Sequence, residues 1–146
     1  MNAFESEPRV VLAPTSRAEQ SAWMKRVGWA ISALMVVFLL LDSAGKIMLE
    51  QHVVAATKAI GYPVECIRTL GLICLGCTIL YAIPRTAILG AILLTAYLGG
   101  AVASKVRIED PLFSSVLFGV YFGVLIWGGL YLRNQRLRRL MPLVRD

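Results

Sequence analysis

Asp42 and Lys46 stand four residues apart inside a long apolar stretch, with the acid on the N-terminal side, the better orientation for an ion pair along one helix face. A lone ionised side chain at mid-bilayer costs about 2.5 to 3.5 kcal/mol, so such residues turn to the protein interior and take a partner. Lys46 can snorkel outward on its long stem, whereas Asp42 cannot. With a helical rise of about 1.5 Å per residue, Asp42 sits about 9 Å below Met48. Other polar groups reach that depth if successive helices alternate in direction. They are Arg68, five residues beyond Pro63, Tyr97 beside Gly99 and Gly100, and Ser114 with Ser115 at the start of the last apolar stretch. Glu65, in the first turn of its helix, favours its own N-terminus. The charges of Asp42, Lys46, Glu65 and Arg68 sum to zero, which suggests an outward-facing polar cavity or a buried ion network. In the functional reading, Asp42, Lys46, Arg68, Tyr97 and Ser114 bind a ligand that arrives from outside or from the lipid. In the structural reading the network only sets helix register, and in a third reading some of these residues merely lie in the headgroup zone.

Cys74-Leu75-Gly76-Cys77 has the spacing of a redox dithiol, which beside a quinone pool could pass electrons. A reactive pair needs a helix N-terminus or a nearby cation to stabilise the thiolate, and this pair falls mid-helix in hydrocarbon. Apolar packing therefore reads better for both, and for Cys66, since free cysteine behaves as a small hydrophobe. His52 is the only histidine and falls in a loop, so no histidine cluster is offered to haem or metal. Nucleophile-elbow, phosphate-loop and carboxylate-dyad patterns are missing as well. No catalytic residue is assigned, no cofactor is evident, and quinone is the one cofactor the dithiol would suit.

Positioning these residues falls to four apolar stretches. Hydrophobic residues make up 58% of the 146-residue chain, and the mean hydropathy is +0.69, more apolar than a soluble domain can carry. A bilayer span needs on the order of 20 helical residues. Four spans are predicted, Val27 to Met48, Val64 to Ile83, Thr86 to Ala103 and Phe113 to Leu132. The fold class is all-α, a four-transmembrane-helix antiparallel bundle. In the first outer loop Val53, Val54, Thr57 and Ile60 have helical spacing before Gly61 and Pro63, which predicts a short interfacial helix. Pro84-Arg85 is too short for anything but an antiparallel hairpin.

The domain plan is a disordered or partly helical N-terminus over residues 1–22, a membrane domain over 23–133 and a basic tail over 134–146. Ser16 and Glu19 have capping-box spacing, and the segment does not read as a cleaved signal peptide. Ten Lys and Arg on the side of the termini against five on the other predict that both termini are cytoplasmic. Trp23, Trp29, Trp127 and Tyr131 then fall at the inner interface. The net charge of +6 is absorbed by this bias and by a tail that can rest on anionic headgroups, which leaves no case for nucleic acid. Helices in lipid associate through small residues. The third span carries Ala87, Ala91, Thr95, Gly99 and Ala103 at every fourth position, and the fourth carries Ser115, Gly119 and Gly123. Both stripes are expected to face neighbours in the bundle or a second copy.

Several segments carry a family resemblance: Arg85-Thr86-Ala87, Gly90-Ala91-Ile92-Leu93-Leu94, Tyr97-Leu98-Gly99-Gly100-Ala101, Asp110-Pro111-Leu112-Phe113-Ser114 and Trp127-Gly128-Gly129-Leu130-Tyr131-Leu132-Arg133. With Asp42, Lys46 and Gly61-Tyr62-Pro63, they make the chain resemble the DoxX-like family of small bacterial membrane proteins from about Val27 to Pro142. The resemblance implies a four-helix membrane bundle. The DoxX name derives from a subunit of a thiosulfate:quinone oxidoreductase, and relatives are linked to membrane redox and oxidative-stress complexes. Lys105 and Ser115 stand where the family often has histidine, and Gly119 where it often has proline, which weakens a proton-transfer or metal role. The leading expectation is a non-catalytic or accessory subunit with an outer-leaflet pocket for a lipid, quinone or small polar ligand. Two alternatives stay open. One is a membrane thiol or sulfur-compound:quinone oxidoreductase using Cys74 and Cys77. The other is a small transporter acting as a dimer, with Asp42 and Arg68 along its path. The expected partners are the lipid bilayer and either a second copy or a redox complex.

Overall fold

A computed structural model describes residues 15–140. Its elements are α1 (Thr15–Met48), α2 (Gln51–Ala59), α3 (Val64–Ala82), α4 (Ala87–Arg107), a π-helical turn (Leu112–Val116), α5 (Phe118–Arg133) and α6 (Gln135–Leu140). Among the described residues there is no strand. Four helical segments are long and apolar enough to cross a bilayer: Ser21–Met48, Val64–Ala82, Ala87–Arg107 and Leu112–Arg133. The protein is an all-α, multi-pass membrane protein. The first twelve residues and the side chains of the Ser16–Glu19 capping pair lie outside the described residues.

Three of the helices end in the same way. In a Schellman ending, the residue after the cap turns left-handed and two N–H groups reach back to carbonyls that the helix leaves unpaired. Gly61 does this after α2 at φ 91°, where glycine has no side chain to object. Leu49 after α1 and Glu109 after α4 do it at φ 55° and 57°. Glu50 N–H donates to Gly45 O at 3.0 Å, and Asp110 N–H to Lys105 O at 3.2 Å. Without glycine, these two turns carry a steric cost.

The helices pack in a ring in which α1 touches α3 and α5, and α4 touches the same two. Alternating direction leaves two ends. The tail end carries the start of α1, the α3–α4 hairpin and α6; the α2 end carries α2 and the α4–α5 joint. Glycines set the closest approaches. A methyl at Gly28 would meet Arg133 N at 2.7 Å, one at Gly129 would meet Ser32 Oγ at 2.8 Å, and one at Gly90 would overlap the backbone of Tyr81. On the predicted stripes Ala91 is buried, and a methyl on Gly119 would meet Val102 Cγ2 at 2.7 Å. Gly99 and Gly123 face open space. Thr95 is exposed, and it accepts from Trp127 Nε1 at 2.9 Å while donating to Ala91 O at 2.8 Å.

The dry core includes Met35, Leu39, Cys74, Tyr81, Leu94 and Ile126. Tyr81 ties three helices together: its hydroxyl donates to Ile126 O at 2.9 Å and lies 3.0 Å from Ser32 Oγ. Arg133 donates to Tyr81 O at 3.0 Å, satisfying one of the last carbonyls of α3. Its guanidinium stacks 4.7 Å from the Trp29 ring centre and 5.0 Å from that of Tyr81. Leu34, Leu41, Leu72, Ile92 and Val124 face outward, as lipid-facing positions should.

Candidate binding cavity

Toward the α2 end the core gives way to a cavity of about 570 Å³, walled by α1, α4, α5 and Leu70 of α3, and covered by α2. That volume lies within the usual range for small-molecule sites. Its walls are apolar. Phe38, Phe118 and Phe122 form one side, with ring centres 4.3 to 6.2 Å apart. Its polar groups are few: Asp42 and Lys46 from α1, His52 and Thr57 from α2, Tyr62, and Tyr97, Lys105 and Ser115 from α4 and the π turn.

Asp42 and Lys46 pair along α1, as their spacing predicts. Lys46 is the more buried of the two, at 13% side-chain exposure against 32%, so it lies along the helix within the protein rather than snorkelling outward. The pair uses one carboxylate oxygen and leaves the other free to accept.

A second polar chain closes the opposite wall. Lys105 Nζ donates to Ser115 Oγ at 3.0 Å and to Ser115 O at 3.3 Å, and Ser115 Oγ donates to Asp110 Oδ2 at 2.6 Å. The π turn makes this geometry. Val116 N–H reaches back to Pro111 O at 3.3 Å and Leu117 N–H to Leu112 O at 2.9 Å, a wider loop than an α turn. Ser115 is thereby carried to the cavity wall while Ser114 stays exposed.

The cover is fastened to α4 at two points. Tyr62 Oη lies 2.8 Å from Ser104 Oγ, and Arg107 donates to Ile60 O at 3.0 Å. Thr57 is the buried residue of α2, and its hydroxyl is spent on Val53 O at 2.7 Å.

Of the five ligand-binding residues read from the sequence, Asp42, Lys46 and Tyr97 line the cavity, and Arg68 and Ser114 do not. Arg68 is exposed because the inward face of α3 runs through Ile67, Gly71, Cys74, Thr78 and Tyr81, and Arg68 is turned by about 100° from Ile67. Lys105 and Ser115 take their place. Lys105 escapes a sequence reading that stops the third span at Ala103, since α4 continues through Arg107 and keeps Lys105 on a helix face. Cys74 and Cys77 are free thiols, both buried, and neither lines the cavity. Among the described residues no three His, Cys, Asp or Glu side chains group as a metal site.

The profile of the DoxX-like family matches residues 30–129, well over half of the chain. The chain belongs to the DoxX-like family. In this DoxX-like protein the matched span takes in every residue that lines the cavity, and it leaves Lys25, Arg133 and α6 outside. No curated protein and no solved structure matches the chain.

Proposed function

We propose that this DoxX-like protein is a non-catalytic, accessory membrane subunit that holds an amphipathic molecule, a quinone or a lipid, in the cavity beneath α2. The observation that supports this reading is the division of the cavity, with phenylalanine walls deep in the bundle and Asp42, Lys46, Lys105 and Ser115 nearer its α2 end. Such a site suits a molecule with an apolar body and a polar head. The excess of Lys and Arg on the side of the termini supports an inner-membrane topology with both termini cytoplasmic, and so a cavity in the outer leaflet. The thiol route has less support, because a substrate in the cavity would touch neither Cys74 nor Cys77.

The test is mild purification followed by native mass spectrometry and solvent extraction, for the parent protein and for Ala101→Phe. Ala101 lines the cavity without joining its polar network, so phenylalanine fills space and leaves the hydrogen bonds alone. The parent should retain a quinone or lipid that Ala101→Phe loses while staying folded. A parent that carries no such molecule, or a variant that retains it equally, sinks the reading.

A further inference from the structure

A second pocket, of about 550 Å³, lies at the tail end, and it has the opposite chemistry. Four cations line it from four parts of the chain: Lys25 on α1, Arg85 in the α3–α4 hairpin, Arg133 at the end of α5 and Arg136 on α6. Among the described residues no acid lines it, and the Asp42–Lys46 pair is the only salt bridge. Four like charges brought together by the fold repel one another unless an outside anion sits between them. Arg133 is held ready for one. The faces of Trp29 and Tyr81 fix its guanidinium, and one bond to Tyr81 O leaves other N–H groups free. Asn134 Oδ1 accepts from the backbone N–H of Arg136 at 3.0 Å, which sets the turn that brings Arg136 in.

We infer that this pocket binds one phosphate group, that of an anionic membrane lipid. Guanidinium forks match phosphate oxygens in pairs. The lipid assignment rests on the apolar part of the wall, Trp29, Pro84, Ala87, Ile88 and Leu130, beside which only Asn134 and Gln135 add uncharged polar groups. Ile88 is exposed on the outer surface of α4, so an acyl chain can leave the pocket along it directly into the bilayer. Free phosphate would have no use for that wall. The site lies at the other end of the bundle from the cavity, so its test stands apart from the proposed function.

The full chain is reconstituted in nanodiscs of phosphatidylglycerol and phosphatidylcholine in equal amounts, and the lipid retained on the protein is read by native mass spectrometry. The parent should keep phosphatidylglycerol over phosphatidylcholine by well over tenfold, since four basic residues line the pocket and each basic residue near an anionic surface contributes about a fivefold preference. Arg85→Gln combined with Arg136→Gln should lower that ratio by roughly 25-fold, with unchanged helix content and thermal unfolding because both side chains are exposed. Lys58→Gln, an exposed cation at the α2 end, should leave the ratio as in the parent. Equal retention of the two lipids by the parent, or a preference undiminished in the double variant, overturns the inference. Millimolar inorganic phosphate should fail to strip the retained lipid; if it strips it readily, the pocket reads phosphate alone and the lipid assignment is overturned.

Discussion

Lys105 Nζ lies 3.0 Å from Ser115 Oγ across the α4–α5 joint, and the same hydroxyl donates to Asp110 Oδ2 at 2.6 Å, so one serine connects a cation to an acid. Ser115→Ala removes the connector and leaves two partly buried charges short of a partner, at a cost of about 1 to 3 kcal/mol. Ser114→Ala, at an exposed position, should stay within about 0.5 kcal/mol. Unfolding in mixed detergent measures both. Equal effects would remove Ser115 from the network.

Tyr81→Phe keeps the ring against Arg133 and deletes the hydroxyl that meets Ser32 and Ile126 O. Two buried polar groups then lose a partner, and the bundle should lose about 1 to 3 kcal/mol. Adding Ser32→Ala should cost less than the sum of the two single changes, because the pair shares one bond. Strict additivity in this cycle would show that the contact carries no coupling.

Gly90→Ala places a methyl against the Tyr81 backbone, where no side chain can swing aside, and should force α3 and α4 apart at a cost of about 1 to 3 kcal/mol or more. Gly99→Ala meets nothing within 4 Å and should be neutral or slightly stabilising through the better helix propensity of alanine. The comparison separates a glycine that makes a contact from one that merely falls in a periodic stripe.

Glu109→Gly should stabilise the protein. At φ 57° the glutamate backbone is in the left-handed region that glycine enters freely, and relief of about 1 kcal/mol is expected. A fall in melting temperature would mean that the Glu109 side chain contributes more than its backbone costs.

Cys66 is exposed, and Cys74 and Cys77 are buried. In single-cysteine variants a membrane-impermeant maleimide should label only Cys66 until the protein is denatured. In sealed cells, labelling of Cys66 from outside also tests the cytoplasmic placement of the termini. Labelling of Cys74 in the native state would reopen the thiol reading.

Much of this molecule is legible in its residues, and the limits are instructive. Helix positions follow from hydropathy because lipid imposes length, and the Asp42–Lys46 pair follows from spacing because an α turn brings i and i+4 together. What escapes depends on rotation and on chain ends. Ser114 and Ser115 exchange roles because a π turn inserts extra rotation that no hydropathy profile records. Lys105 becomes a cavity residue because α4 outlasts its apolar stretch. The tight crossings at Gly28, Gly90 and Gly129 are single glycines facing other helices, whereas the periodic pattern draws the eye to Gly99 and Gly123.

Between the two pockets lies the plug of Met35, Leu39, Cys74 and Leu94, all buried. Anything passing from one hollow to the other would have to unseat those side chains. Each hollow therefore belongs to its own end of the bundle. Under the two proposals above, a single copy of this chain is an insulator with two separate sockets rather than a conduit.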